Sequence, residues 1–155
     1  MFKDEATSNL DLEHLAKKLK LPLVMVCSKD ELPDKTYIGS YYVNLENSTE
    51  GEGSHWCLVK IFDTKNALYF DAFGQSFPIE VSNFLKKYKP VPYSNRHIQD
   101  IDSSRCGLYC VACDLYMNRV MKRDMTDQFD DFLNMFTTNT KKNDMILVNY
   151  LKKKI

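Results

Sequence analysis

Residues 55–73 read HWCLVKIFDTKNALYFDAF, and their patterning sets the fold class. Two β-rich runs, HWCLVKIF at 55–62 and ALYFDAF at 67–73, flank a four-residue DTKN. A connection that short, built from turn formers, predicts an antiparallel hairpin. Upstream, residues 23–27 (LVMVC) and 40–45 (SYYVNL) read as two more strands, separated by a polar loop over 28–39. Residues 47–54 (NSTEGEGS) mark the turn before the hairpin, and 96–101 (RHIQDI) reads as a further strand.

Helical patterns bracket this block. Ser8 is placed to cap a first helix in which Leu12, Leu15, Ala16 and Leu19 recur at helical spacing, ending before Pro22. Pro78 opens another, with Val81, Phe84, Leu85 and Tyr88 on one face. Residues 106–122 (CGLYCVACDLYMNRVMK) are apolar on nearly every face through Met117, the pattern of a helix enclosed by the protein. Thr126 and Thr140 are the expected caps of two last helices, the first presenting Phe129, Phe132, Leu133 and Phe136. One helix, a block of strands, then mostly helices predicts an α+β fold. The expectation is a central, mostly antiparallel sheet against the buried helix, with further helices at the N- and C-termini. No internal repeat or linker interrupts it, so one domain is expected across residues 1–155.

Composition narrows the function classes. The 155 residues are 44% hydrophobic and 12% aromatic, as in a globular protein. Twenty-one basic and twenty-one acidic residues cancel, so the net charge gives no support for nucleic-acid binding. No apolar run approaches the roughly 20 residues of a membrane helix, and the first fifteen residues lack a signal peptide's apolar core. An intracellular, non-membrane protein is expected. Five cysteines, an odd number with three crowded at 106, 110 and 113, point to reduced thiols over a disulfide framework.

The chemistry converges on Cys106. Asp102, Ser103 and Ser104 are candidate caps just before it, which puts the thiol in the first turn of the buried helix. Unpaired N–H groups and the helix dipole there favour the thiolate, the reactive form. Gly107 beside it has no side chain to block a substrate carbonyl. His55 starts a strand at an edge where its ring can face a cleft, and Asp71 lies near the end of the next strand. In the predicted hairpin those two ends are adjacent, so Asp71 can hydrogen-bond the His55 ring and fix its tautomer. Gln99, seven residues before Cys106, can join the Cys106 N–H in an oxyanion hole. Each residue alone also has an ordinary reading: a buried inert thiol, a surface histidine, a turn aspartate, a solvent-facing glutamine.

Three runs, YVNLENSTEGEGSHWCLVKI at 42–61, LYFDAFG at 68–74 and IQDIDSSRCGLYC at 98–110, resemble the adenovirus-proteinase-like (adenain-like) cysteine proteases. These belong to the SUMO-protease-like group, with relatives in large DNA viruses, virophages and Polinton-type elements. The resemblance reaches from the first helix to about residue 120. It implies a triad of His55, Asp71 and Cys106, Gln99 in the oxyanion hole, and Trp56 packed beside the site. It further implies a thiol protease that needs no cofactor and cleaves capsid and other virion precursor proteins at Gly-containing sites. The corresponding location is the virion and the infected cell, and a monomer is expected. Two departures stand out. The chain is neutral where the adenovirus enzyme is basic and DNA-activated, and Tyr88 falls roughly where that enzyme carries its peptide-linking cysteine. Dependence on DNA or a disulfide-linked peptide is therefore not expected.

Two rival readings differ in substrate or in class. One is a SUMO- or ubiquitin-like isopeptidase using the same residues. The other is a non-catalytic zinc-binding or interaction module in which Cys106, Cys110 and Cys113, along one helical face, are joined by His55, Cys57 or His97. Because the helical stripe continues into Met117 and Val120, Cys110 and Cys113 read better as core, and no metal site is expected.

Overall fold

In a computed structural model, residues 2–49, 55–118 and 124–155 are described. The architecture is α+β. A four-stranded mixed sheet, β1 (Leu23–Ser28), β2 (Gly39–Asn44), β3 (Trp56–Ile61) and β4 (Ala67–Phe70), runs in the order β1-β2-β3-β4. β1 pairs parallel with β2, and the other two pairings are antiparallel. Among the described residues the helices are α1 (Asn9–Lys18), α2 (Ile79–Phe84), α3 (Cys106–Met117), α4 (Met125–Leu133) and α5 (Thr140–Lys152). None is long and apolar enough to cross a membrane.

The hairpin forms as its sequence predicts. Asp63 Oδ1 accepts from the N–H of Lys65 (2.7 Å) and of Asn66 (2.8 Å), closing the DTKN turn. The strands it joins pair Leu58 with Phe70 and Ile61 with Ala67. Strand residues alternate between two cores, as a two-residue period requires. Tyr42, Trp56, Leu58, Leu68 and Phe70 pack with α1, α3, α4 and α5. Tyr41, Val43, Cys57, Val59 and Tyr69 pack on the other face with Val81, Leu85 and Tyr88. The Tyr88 hydroxyl there meets Thr36 Oγ1 at 3.1 Å.

Lys60 breaks the apolar pattern on the α3 face and is neutralised in place. Its Nζ donates to Asp114 Oδ1 (2.6 Å) and to Ser40 Oγ (3.1 Å), while Tyr42 Oη donates to Asp114 Oδ2 (2.7 Å). A buried charge persists only when paired and hydrogen-bonded in this way. The network ties β2 and β3 to α3, the helix that starts at Cys106.

Several local expectations shift. Residues 96–101 are not a strand: the N–H groups of Ile98 and Gln99 both donate to Ala72 O (2.9 and 3.0 Å), and two donors on one carbonyl do not make a ladder. β4 has already ended at Phe70, so no strand remains to pair with them. Ser8 caps α1 as expected, in a reciprocal box with Asp11. Asp124, not Thr126, caps α4, and Asn139, not Thr140, caps α5, because Thr140 Oγ1 donates to Asp100 instead (2.8 Å). The helix expected to reach residue 122 ends at Met117, with Asn118 as its C-cap; most of the glycine-rich turn at 47–54, and Val120, lie outside the described residues.

Candidate active site

Hairpin register brings the first two site residues together. Continued one step past Leu58 and Phe70, it sets Asp71 opposite Cys57 and one diagonal from His55, the separation that long side chains span. His55 Nε2 meets Asp71 Oδ1 at 2.7 Å, and the carboxylate is 1% exposed. The chain then turns sharply. Gly74 N donates to Asp71 O (2.8 Å) and Phe73 N to Asp71 Oδ1 (2.8 Å), which lays the Phe73 ring against the His55 imidazole at 4.5 Å and 21°. Gly74 makes the turn possible: its φ is +75°, and a Cβ there would lie 2.7 Å from the Arg96 carbonyl carbon.

Cys106 is the first residue of α3, as expected, and its thiol is nearly buried. Trp56 N donates to Cys106 Sγ at 3.4 Å, so the residue after His55 touches the nucleophile candidate directly. The expected caps do not act as caps. Arg105 occupies the cap position and no side chain closes the helix start, which leaves the first amides of α3 without a capping partner. Ser103 Oγ donates to Asp144 (2.8 Å) and accepts from Arg105 N (3.2 Å), the residue before the helix and not one within it. The neighbouring Ser104 N donates to Asp4 Oδ1 (2.8 Å).

Gln99 reaches the same cleft by docking on Ala72, two residues before Gly74. Its Nε2 donates to Ser103 O (2.9 Å), leaving a second N–H on that nitrogen, and Oε1 is buried with no hydrogen-bond partner. A cavity of about 560 Å³ is lined by Cys106, His55, Gln99, Trp56, Phe73 and Thr7 among others. Four of these were expected from sequence at this site. Trp56 serves both predicted roles, packing in the α3-side core and lining the cavity, with Nε1 donating to Thr7 O (3.0 Å). Gly107 differs from expectation. The space its missing side chain leaves is filled by Leu12 Cδ2 and Thr7 Cβ, 3.0 and 3.1 Å from where a Cβ would sit, and the residue does not line the cavity. Its smallness admits α1 and the segment before it.

Electrostatics favour an imidazolium. Burial works against a charged His55, but the Asp71 carboxylate and the adjoining Cys106 and Cys57 thiol groups outweigh it and push the pKa up to about 12. The other four thiols are ordinary core groups. Burial raises Cys57 to about 11 and Cys27 to about 12, and holds Cys110 and Cys113 well above the usual thiol value. Among the described residues, His55, Cys57 and Asp71 offer metal-ligand atoms all within 4.8 Å of one another. Their Nε2···Oδ1 distance of 2.7 Å is shorter than the roughly 3.3 Å between two ligands of one tetrahedral zinc ion. The cluster is therefore a hydrogen-bonded pair with a buried thiol behind it. Cys106, Cys110 and Cys113 form no such group among the described residues.

Thr7, Phe73 and Asp144 at or around this site were not singled out from sequence. Phe73 had a local signal, an aromatic two residues after the acid in a turn. The others had none, because they arrive from distant parts of the chain. No family model matches this chain, and no curated protein matches it.

Proposed function

We propose that the chain is a cysteine endopeptidase acting by acyl transfer, with Cys106 as nucleophile, His55 as base and Asp71 as its orienting partner. The observation that carries this is the meeting, in one cleft, of a helix-start thiol and a histidine held by a buried carboxylate at 2.7 Å. With Nε2 occupied by Asp71, Nδ1 is the ring nitrogen left to exchange a proton with the thiol. The S–H proton already rests on that nitrogen as the imidazolium of an ion pair, and the thiolate attacks the carbonyl carbon to form a C–S bond. The displaced electron pair comes to rest on oxygen, held by the Cys106 N–H and the free Nε2 hydrogen of Gln99. Collapse expels the amine, which leaves with the proton from His55. Water, deprotonated by the same nitrogen, then cleaves the thioester and restores the thiol.

The resemblance to adenovirus-proteinase-like enzymes extends the proposal to virion precursor proteins cut at Gly-containing sites, and to a virion and infected-cell location. Purified Cys106→Ala, folded as judged by its thermal transition, should cleave no Gly-containing peptide that wild type cleaves. Cleavage retained in that variant overturns the nucleophile. A wild type that releases a SUMO or ubiquitin C-terminal reporter but no such peptide redirects the same chemistry to ubiquitin-like conjugates.

A further inference from the structure

The wall of the cleft opposite His55 is the chain's own N-terminal segment, and the means of holding it in place is unusual. Residues 3–6 are exposed, and Phe2 and Thr7 are only half-buried. On its far side the segment borders a second cavity of about 290 Å³, shared with Asp11, His14 and Leu108. It is thus a partition between two hollows, with little apolar contact beyond Phe2 to fix it. Polar bonds do that work, and their partners all adjoin the candidate triad. Thr7 O accepts from Trp56 Nε1, Asp4 Oδ1 accepts from Ser104 N, and Phe2 O accepts from Arg105 Nε (3.3 Å) and Nη2 (3.0 Å).

Arg105 joins three parts of the chain. Its Nη1 donates to Asp144 Oδ2 on α5 at 2.7 Å, with both side chains 17% exposed. Asp144 is saturated on the same side, accepting from Ser103 Oγ and from Tyr109 Oη (2.9 Å). A carboxylate with three donors has one orientation, so it presents the guanidinium plane to Phe2 O. We propose that Arg105, aimed by Asp144, is a positioning residue that fastens residues 2–5 and so holds residues 6–9 as the substrate-holding wall of the cleft. This rests on the protease reading of the cleft, and it assigns the C-terminal helix a part in substrate binding. The clamp acts on how a peptide is held and leaves the reactivity of the thiol to His55 and Asp71.

Arg105→Lys is the discriminating variant, because lysine keeps a cation for Asp144 but lacks the fork that reaches Phe2 O at the same time. Asp4→Ala is the second, an exposed residue whose loss leaves the Arg105–Asp144 pair intact. In both, cleavage after the exposed Glu5 by a glutamate-specific protease should quicken about tenfold, the effect of one lost bond to a charged group. KM for a cleaved peptide should rise by about the same factor. kcat and the rate of Cys106 alkylation by iodoacetamide should stay within about twofold of wild type. Unchanged cleavage after Glu5 in Arg105→Lys overturns the clamp. Faster cleavage with unchanged KM overturns the wall's part in holding substrate. This nicking requires no turnover by the protein itself, so a chain that cleaved nothing would fail the protease reading while the clamp was still decided.

Discussion

Replacing Asp71 with asparagine tests the electrostatic core of the site. Asp71 Oδ1 takes hydrogen bonds from both His55 Nε2 and Phe73 N, so an asparagine carbonyl can keep the turn while the charge beside the ring is lost. A hydrogen bond between charged groups contributes about 1.5–3 kcal/mol, or roughly tenfold to a hundredfold in the population of imidazolium. The wild-type ring, with its pKa pushed up to about 12, stays protonated throughout the neutral range. In Asp71→Asn, burial acts with less opposition and the proton is lost about one to two pH units lower. The assay is the rate of iodoacetamide alkylation at Cys106, mapped by mass spectrometry from about pH 5 to about pH 9. Wild type should label Cys106 ahead of the other four thiols, which burial holds in the unreactive S–H form. The variant should label it more slowly, by no more than the roughly hundredfold that the lost bond allows, with a rate that climbs with pH. Stability follows the same sign. A histidine raised above its unfolded value of about 6.5 stabilises the fold fully below that pH and loses the contribution as pH rises towards about 12. The thermal midpoint of wild type should therefore fall more steeply on alkalinisation than that of Asp71→Asn. Identical labelling profiles for the two proteins would refute the reasoning.

Two further substitutions probe what holds the site in place. Lys60→Met leaves Asp114 buried without its cation and should cost about 3–5 kcal/mol in urea unfolding, much of it recovered in a Lys60→Met/Asp114→Leu double variant; a single variant as stable as wild type contradicts this. Gly74→Ala forces a side chain into a positive-φ position against the Arg96 carbonyl and should cost about 1–3 kcal/mol. Because that turn carries Phe73 onto His55, Cys106 alkylation should slow as well, and an unaltered thermal midpoint would count against the strain.

Much of the architecture could be read from local pattern. DTKN between two β-rich runs predicted the hairpin, and the near-continuous apolar run from Cys106 to Met117 predicted the enclosed helix. The hairpin in turn predicted the His55–Asp71 contact, since antiparallel pairing turns a sequence gap into a cross-strand neighbour. Helix caps were legible only to within a residue or two. Clusters such as Asp102, Ser103 and Ser104 offer several equivalent acceptors, and long-range partners decide which way each side chain is turned: Ser103 donates to Asp144, and Thr140 to Asp100. The strand expected at 96–101 failed for a related reason, since no neighbour was left past Phe70 to pair with it.

Residue types and periodicities are properties of neighbours along the chain, and they marked the elements and the chemistry-bearing side chains. Distances between those side chains depend on how the elements pack. The 2.7 Å contact of His55 with Asp71 could be anticipated because one short turn controls it. The arrival of Thr7 and Asp144 around Cys106 could not, because it depends on α5 and the segment before α1 docking together. Docking is driven by burial of apolar surface, which is non-directional and leaves no mark of partner choice at any single position in the chain.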